Sequence, residues 1–433
     1  MNFSENEFRD YLFDNYKENL SNLIFGRKDS IKWTGDEFPS IHFLLQEIAE
    51  KKINEILDSL ECLILSAKEL RLEKEGDSTT RIDLLGNAEG SGLYIIELKK
   101  SKQTERQAFT ELLAYANHFC SIFPGLKESS LTSILIAPME TRTVRDAYVQ
   151  ELVTNNKNVL ALIPQEENGV IKLKVYYPDK SYYQWFENNL LNDWSMSTVA
   201  ISFPIIEGWI DSDANSDGKI PNYSRNALNA ISSAISHKLE ACGIHGLVYA
   251  SQKWGEIAKI FPYPNTIFIT AINPFSSLRT SIHENEIYGA SEQGRLNAVQ
   301  SIYDQLDDGK EFWIDAMESD FHSNLIGIVE NEFDLCFKNA DQSKIDTEIS
   351  IPHWYGIKTS VIDAACTHNL DIFLTGLLRE IYIEYIKYTY ENNKECIYYG
   401  SDMPKYSYDT LRNFLAAWEI LSGLGVGNND EVS

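Results

Sequence analysis

The stretch Leu93–Lys100, LYIIELKK, begins as a buried strand and ends in charge. Side chains alternate across a strand, so Ile95, Glu97 and Lys99 share one face and Tyr94, Ile96 and Leu98 the other. A carboxylate and an ammonium on a core strand need a partner or a purpose, because burying an unpaired charge is costly. Upstream, RIDLLG at 81–86 reads as a second strand, and NAEGSG at 87–92 is rich in turn formers. A hairpin about that turn sets Asp83 opposite Glu97, with Cβ atoms roughly 4.5–5.5 Å apart. Two carboxylates that close repel each other, and burial sharpens the repulsion. A divalent cation relieves it. Mg²⁺ commonly takes one or two carboxylates together with waters and phosphate oxygens. Lys99, one step along the same face, is placed to position an attacking water or to stabilise charge developing on a phosphate. The plain alternative is a strand end whose lysine snorkels to solvent. Asp83, at hairpin-matched spacing, is the observation that favours a site over that alternative.

A long helix is expected next, over 104–122. Lys100, Lys102 and Arg106 join Lys99 in a short basic run, and such residues and helix N-termini contact phosphate. Gln107, Glu111 and Tyr115 recur every four residues as a polar stripe on one helix face. Phe109, Leu112, Leu113, Ala116 and Phe119 mark the packed side. Alone, the stripe would read as an ordinary solvated face.

An Asp, then Glu-Leu-Lys, then a helix bearing a Gln/Glu-x-x-x-Tyr pattern resembles the PD-(D/E)xK nuclease superfamily, the restriction-endonuclease-like fold, in its NucS- and RecB-like form. The resemblance covers residues 1–165, and its specific part is 81–115. It implies a mixed central sheet flanked by helices and metal-dependent hydrolysis of phosphodiester bonds in nucleic acid, DNA before RNA, by internal cutting. By the resemblance Asp83, Glu97 and the Leu98 main-chain carbonyl hold Mg²⁺ or Mn²⁺. Lys99 contacts the attacking water and the phosphate, and Gln107 or Glu111, with Tyr115, orients the substrate or the outer shell. Members often carry a metal-approaching Glu on the first helix, for which Glu7 is the first candidate here and Glu5 the second. The chain departs from the family in two places: Glu111 stands where Gln is usual, and Arg81-Ile82 rather than Pro precedes Asp83.

Around this core, helices are expected over 5–24, 41–60 and 142–155, and strands over 67–74, 131–137, 159–164 and 171–177. The order describes a small α/β sandwich with one central sheet. Residues 33–62 read as an insertion between the first helix and the sheet. Pro178-Asp179-Lys180 makes a seam, giving a nuclease-like domain over 1–180 and a mixed α+β part over 181–433. In the second part helices are expected at 224–242, 291–307, 362–391 and 407–422, and strands at 199–206, 266–272 and 311–316. Its role is open: a sensor, a protein-binding or dimerising element, or a regulator of the first part. Appended domains of this kind occur on prokaryotic restriction and anti-phage nucleases, and that analogy is the only pointer to a biological setting. An alternative of a different class is a catalytically weak scaffold that binds nucleic acid or a partner protein. Retention of Asp83, Glu97 and Lys99 together argues against it.

The formal charge of −26 over 433 residues is a poor start for nucleic-acid binding. The acidity is uneven. Residues 1–180 hold 22 of the 38 Lys and Arg and 29 of the 64 Asp and Glu, a net of −7, which leaves −19 for the rest. Any anion-binding surface must therefore be local. Six scattered cysteines without a CxxC pair argue against a zinc ribbon or a disulfide scaffold. The charged, amphipathic start is no signal peptide, and no apolar run approaches the roughly 20 residues of a membrane span. A cytoplasmic protein without membrane contact is expected. DANSDGKIPNYS at 213–224 has the early positions of a calcium loop but Ser224 where the bidentate carboxylate belongs, so a surface turn is the better reading. Asp315, Glu318, Asp320 and His322 read as a solvated acidic face before a metal site. EIYIEYIKYTY at 380–390 reads as a packed helix and not a base-stacking platform.

Overall fold

The computed structural model describes residues 4–34, 39–72, 81–126, 130–167, 170–191, 193–204 and 222–252, and parts of 261–404. The chain divides into two compact units, Met1–Thr34 with Leu45–Asp179, and Gly35–Leu44 with Lys180–Ser433.

The first unit contains α1 (Glu5–Asn15), β1 (Ile24–Phe25), α2 (Ile41–Ser59, from Leu45 on), β2 (Leu63–Arg71), β3 (Arg81–Ala88), β4 (Gly92–Leu98), α3 (Lys102–Ile122), β5 (Leu131–Ile136), α4 (Arg142–Val149), β6 (Val159–Glu167) and β7 (Val170–Val175). The strands form one seven-stranded mixed sheet in the order β1-β7-β6-β5-β4-β3-β2. β4, β5 and β6 run parallel, and β2, β3 and β7 are antiparallel to their inner neighbours. Helices pack on it, α3 against β4 and β5 and α1 against β2 and β3.

β4 lies near the centre, and Tyr94 to Leu98 are all at most 3% exposed. A strand buried on both faces reads as a continuous apolar run. Each Leu or Ile fully buried there contributes about 1.5–3 kcal/mol, which is what lets this strand also carry one buried Glu. The hairpin from β3 turns through Gly90 and Gly92, both at positive φ (76° and 90°). A Cβ on Gly92 would lie 2.6 Å from the Ser130 carbonyl oxygen, so only glycine fits. The ladder pairs Leu85 with Ile95 and Leu84 with Ile96, and its next step sets Asp83 opposite Glu97.

The first helix stops at Asn15, nine residues short of the expected end, and a short 3₁₀ turn follows at Leu20–Leu23. The Lys17 carbonyl accepts the Leu65 amide of β2 at 2.8 Å, which a helical Lys17 would not offer to a strand. The second strand begins at Leu63 and ends at Arg71, earlier than the 67–74 expected. Residues 33–62, read as an insertion, include α2, whose Ser59 hydroxyl accepts the Tyr94 hydroxyl at 2.5 Å.

The second unit contains α5 (Lys180–Leu190), β8 (Met196–Phe203), α6 (Asn222–Ala241), β9 (Gly246–Gln252), β10 (Asn265–Ile272), the short pair β11 (Ile282–His283) and β12 (Glu286–Ile287), α7 (Lys310–Cys336), β13 (Glu348–Ser350), α8 (Trp354–Ile357), α9 (Thr359–Cys366), β14 (Ile372–Leu374), α10 (Gly376–Asn392) and the short pair β15 (Tyr398–Tyr399) and β16 (Met403–Pro404). Its main sheet is antiparallel, in the order β13-β8-β10-β9-β14. The strand expected at 311–316 belongs to α7. Leu325, Ile328, Val329 and Phe333 recur at helical spacing and are buried, with the Phe333 ring centroid 4.8 Å from that of Phe203 in β8. The helix expected over 362–391 is two helices separated by β14. Its break is at Gly376, at φ 54°, where a Cβ would meet His245 Nδ1 at 2.1 Å. The Thr375 hydroxyl there accepts the Gly246 amide at 2.9 Å and donates to the Ile244 carbonyl at 2.7 Å. No helix among the described residues is long and apolar enough to cross a membrane. The helix expected at 407–422 lies outside the described residues, as does most of that expected at 291–307. The calcium-like loop falls outside them too, except for residues 222–224, which open α6.

Candidate active site

β3 and β4 bring Asp83, Glu97 and Lys99 together at the carboxyl end of β4, and α3 adds Glu111 and Tyr115 from above the same end. Ligand sites of sheets with parallel strands commonly sit outside such ends. The helix starts here because Ser101 caps it: its hydroxyl accepts the Thr104 amide at 3.3 Å, and the Thr104 hydroxyl accepts the Ser101 amide at 3.3 Å. That cap fixes the angle at which Lys99 leaves the strand and Glu111 comes back over it.

The Lys99 ammonium lies 2.6 Å from Glu97 Oε1 and 2.6 Å from Glu111 Oε2, with its side chain 10% exposed. Asp83 Oδ2 accepts the Leu98 amide at 2.9 Å. The side chains of Asp83 and Glu97 are both withdrawn from solvent, Glu97 more deeply, at 3%. Glu97 Oε2 is buried and receives no hydrogen bond. A buried oxygen without a donor is costly, and it is the atom a cation would satisfy.

The protonation equilibria follow from that crowding. Burial pushes Glu97 up to about 10, the Asp83 charge and the shared contact with Glu111 push the same way, and Lys99 opposes them. Burial also raises Asp83 above its ordinary value, against the Leu98 amide and the Lys99 charge. Burial pulls Lys99 down, but the Glu97 and Glu111 carboxylates outweigh it and hold the ammonium above its usual range. Tyr115 is raised by burial and then by the charges of Glu97, Glu111 and Asp83. The cluster gathers three carboxyl groups about one ammonium, so Glu97 keeps a proton unless a further cation takes its place.

The other candidates are placed differently. Glu7, the first candidate, has its carboxylate closing the capping box of α1, where it accepts the Ser4 amide at 2.7 Å and the Ser4 hydroxyl at 2.8 Å. Those two bonds hold it below the ordinary carboxylate range. Glu5 is the acid of that helix nearer the site. Its Oε2 accepts the Lys100 amide at 3.3 Å, and its charge raises Asp83. Gln107, Lys100 and Lys102 are exposed on the approach to the site. The Arg106 side chain lies outside the described residues. Leu113, assigned to the packed face of α3, is 36% exposed. It sits one residue, about 100° of helix, beyond Leu112. On α7, Glu318 and His322 lie one turn apart and the His322 ring meets the Glu318 carbonyl at 3.0 Å. The Asp315 side chain lies outside the described residues, and among those described no group of three or more His, Cys, Asp and Glu is arranged to hold a metal ion.

Two residues escaped the sequence reading. Glu105, fully buried, accepts the Thr141 amide at 2.5 Å and the Glu140 amide at 3.4 Å, which ties the first turn of α3 to the segment after β5. Arg9, on α1, reaches toward Asp83. An acid and an arginine inside apolar helix faces were the available signals.

Tyr115 ties α3 to the strand that carries Asp83. Its hydroxyl donates to the Arg81 carbonyl at 2.6 Å, two residues before Asp83. Tyr115→Phe is expected to cost about 1 kcal/mol in urea denaturation and to slow any cleavage less than tenfold. A hundredfold loss of cleavage at unchanged stability would instead place the hydroxyl on the substrate.

No protein-family model, curated protein or solved structure matches the chain.

Proposed function

We propose that the chain is a Mg²⁺- or Mn²⁺-dependent nuclease built on a restriction-endonuclease-like core, with DNA as the favoured substrate. The observation that carries this reading is the Asp83–Glu97 pair at the end of a central strand, with Glu97 Oε2 buried and lacking a donor. The donor set suits a hard cation: two carboxylates, with the Leu98 carbonyl as a third oxygen. When bound, such an ion polarises a phosphoryl oxygen and lowers the pKa of a bound water.

The chain's own residues account for the rest. Asp83 is oriented by the Leu98 amide, which fixes Oδ2, while Oδ1 lies 3.9 Å from Arg9 Nη1. Lys99 is shared between Glu97 and Glu111 in the resting arrangement. With Glu97 committed to a cation, the ammonium would keep Glu111 alone and would be free to take a phosphate oxygen as its second partner. Glu111 keeps the lysine tethered above the strand. Lys100 and Lys102, exposed where α3 begins, meet the flanking phosphates. With so few local cations on an acidic chain, binding to nucleic acid is weak and strongly dependent on salt.

The test offers supercoiled plasmid, linear duplex, single-stranded DNA and RNA to the full-length protein, with anisotropy followed beside cleavage. Cleavage with Mg²⁺ or Mn²⁺ that EDTA and Asp83→Ala both abolish supports the reading, and the substrate cut fastest names the class. Binding of nucleic acid without cleavage under every condition supports a scaffold and overturns the enzyme.

A further inference from the structure

The strand ladders align three acids across the sheet. Lys68 pairs with Leu84 and Leu70 with Ile82, which brackets Glu69 opposite Asp83, and the Leu84–Ile96 pair places Glu97 on the other side of Asp83. Glu69 has a left-handed backbone, φ 48°, two residues before the end of β2. That conformation is uncommon for a residue other than glycine, and strained backbone often accompanies functional sites.

What surrounds it is Arg9. The Arg9 side chain is 7% exposed, and its Nη1 lies 2.9 Å from Glu69 Oε1 but 3.9 Å from Asp83 Oδ1. The same nitrogen donates to Asn6 Oδ1 at 3.1 Å, and Nη2 is 3.5 Å from Asp10. Arg81 Nη1 is 3.7 Å from Glu69 Oε1. One nearly buried guanidinium thus sits within reach of two neighbouring carboxylates and is held by the one outside the candidate site. A guanidinium closed on Asp83 would engage both carboxylate oxygens in its fork and occupy the lone pairs a cation needs.

Building on the cation-site reading above, we propose that Glu69 is a positioning residue for that site: by holding Arg9 it keeps the guanidinium off Asp83 and leaves the Asp83 carboxylate open to a divalent cation. Glu69 touches neither cation nor substrate. It acts through Arg9.

The test is calorimetric titration of Mn²⁺ into full-length wild type, Asp83→Asn, Glu69→Gln, Arg9→Gln and the double variant Arg9→Gln/Glu69→Gln. Wild type is expected to bind and Asp83→Asn to lose binding. Glu69→Gln is expected to bind about tenfold more weakly, the size of a coupling between contacting charges. The double variant is expected to return to within about threefold of wild type, because the competing guanidinium is gone; a merely structural loss would not be rescued by removing a second group. Should Glu69→Gln not fold, Glu69→Asp, whose shorter side chain draws its carboxylate away from Arg9, takes its place in the same comparison, single and with Arg9→Gln. Unchanged affinity in Glu69→Gln, or a double variant as weak as Glu69→Gln, overturns the proposal while leaving the cation site standing. Wild type and Asp83→Asn that bind alike, or not at all, overturn the site and the proposal together.

Discussion

Replacing Lys99 with alanine is expected to slow metal-dependent cleavage about a thousandfold, the loss seen when one preorganised charge-stabilising donor is removed. The same change leaves Glu97 and Glu111 without their common ammonium. Breaking a buried ion pair commonly costs about 3–5 kcal/mol, because an uncompensated charge remains. Here the cost is expected to be smaller. Burial and Asp83 already push Glu97 up to about 10, so the carboxylate takes up a proton instead of standing ionised and alone. Lys99→Ala should therefore fold, with a cooperative melt and unchanged circular dichroism, and fail to cut. A variant that cuts at the wild-type rate, with contaminating nuclease excluded, would remove Lys99 from the chemistry. A variant that does not fold would show that the ammonium is chiefly structural.

Glu97→Gln should abolish cleavage and at the same time change how stability depends on pH. The folded-state value of Glu97, about 10, stands above its ordinary value of 4.5. The metal-free folded protein thus retains a proton that the unfolded chain releases. A group of this kind contributes stability that is full below the unfolded value and is lost as pH rises through the folded one. In EDTA, wild type should lose stability between about pH 6 and about pH 9, and Glu97→Gln should lose distinctly less, since the amide keeps the shape without the proton. Lys99 adds no slope in this window, because its folded value lies above the lysine range and it is charged in both states. Added Mg²⁺ should favour the ionised carboxylate and flatten the wild-type profile. Thermal melts of both proteins at the two pH values check this. Parallel profiles in EDTA would mean that Glu97 is ionised throughout.

The part of the site legible in the sequence is the part built from short-range rules. Gly90 and Gly92 mark the turn, the turn sets the register, and the register sets Asp83 against Glu97. Lys99 follows from alternation along the strand, and Glu111 and Tyr115 from the helical repeat. What the sequence hid depends on contacts distant in the chain. Glu7 and Glu5 are equivalent as letters, and only the cap on Ser4 commits the first and frees the second toward Lys100. The end of α1 depends on the Lys17 carbonyl being claimed by Leu65. The row of acids extends to Glu69 only because an irregularity between Leu65 and Ala67 shifts the β2 register by one residue. EFWIDA at 311–316 has the short apolar run of a strand, yet it opens a helix whose packing is decided further along, at Leu325 to Phe333. Local pattern is a weak prior where tertiary packing decides.

The measurement that bears most directly on the central claim is the rate of supercoiled-plasmid nicking as a function of Mg²⁺ concentration, for wild type and Glu97→Gln side by side. The account predicts a wild-type rate that rises from background to saturation with Mg²⁺ and returns to background in EDTA, and a Glu97→Gln rate at background throughout. Nicking by Glu97→Gln at the wild-type rate, or wild-type nicking indifferent to Mg²⁺ and EDTA, would contradict it.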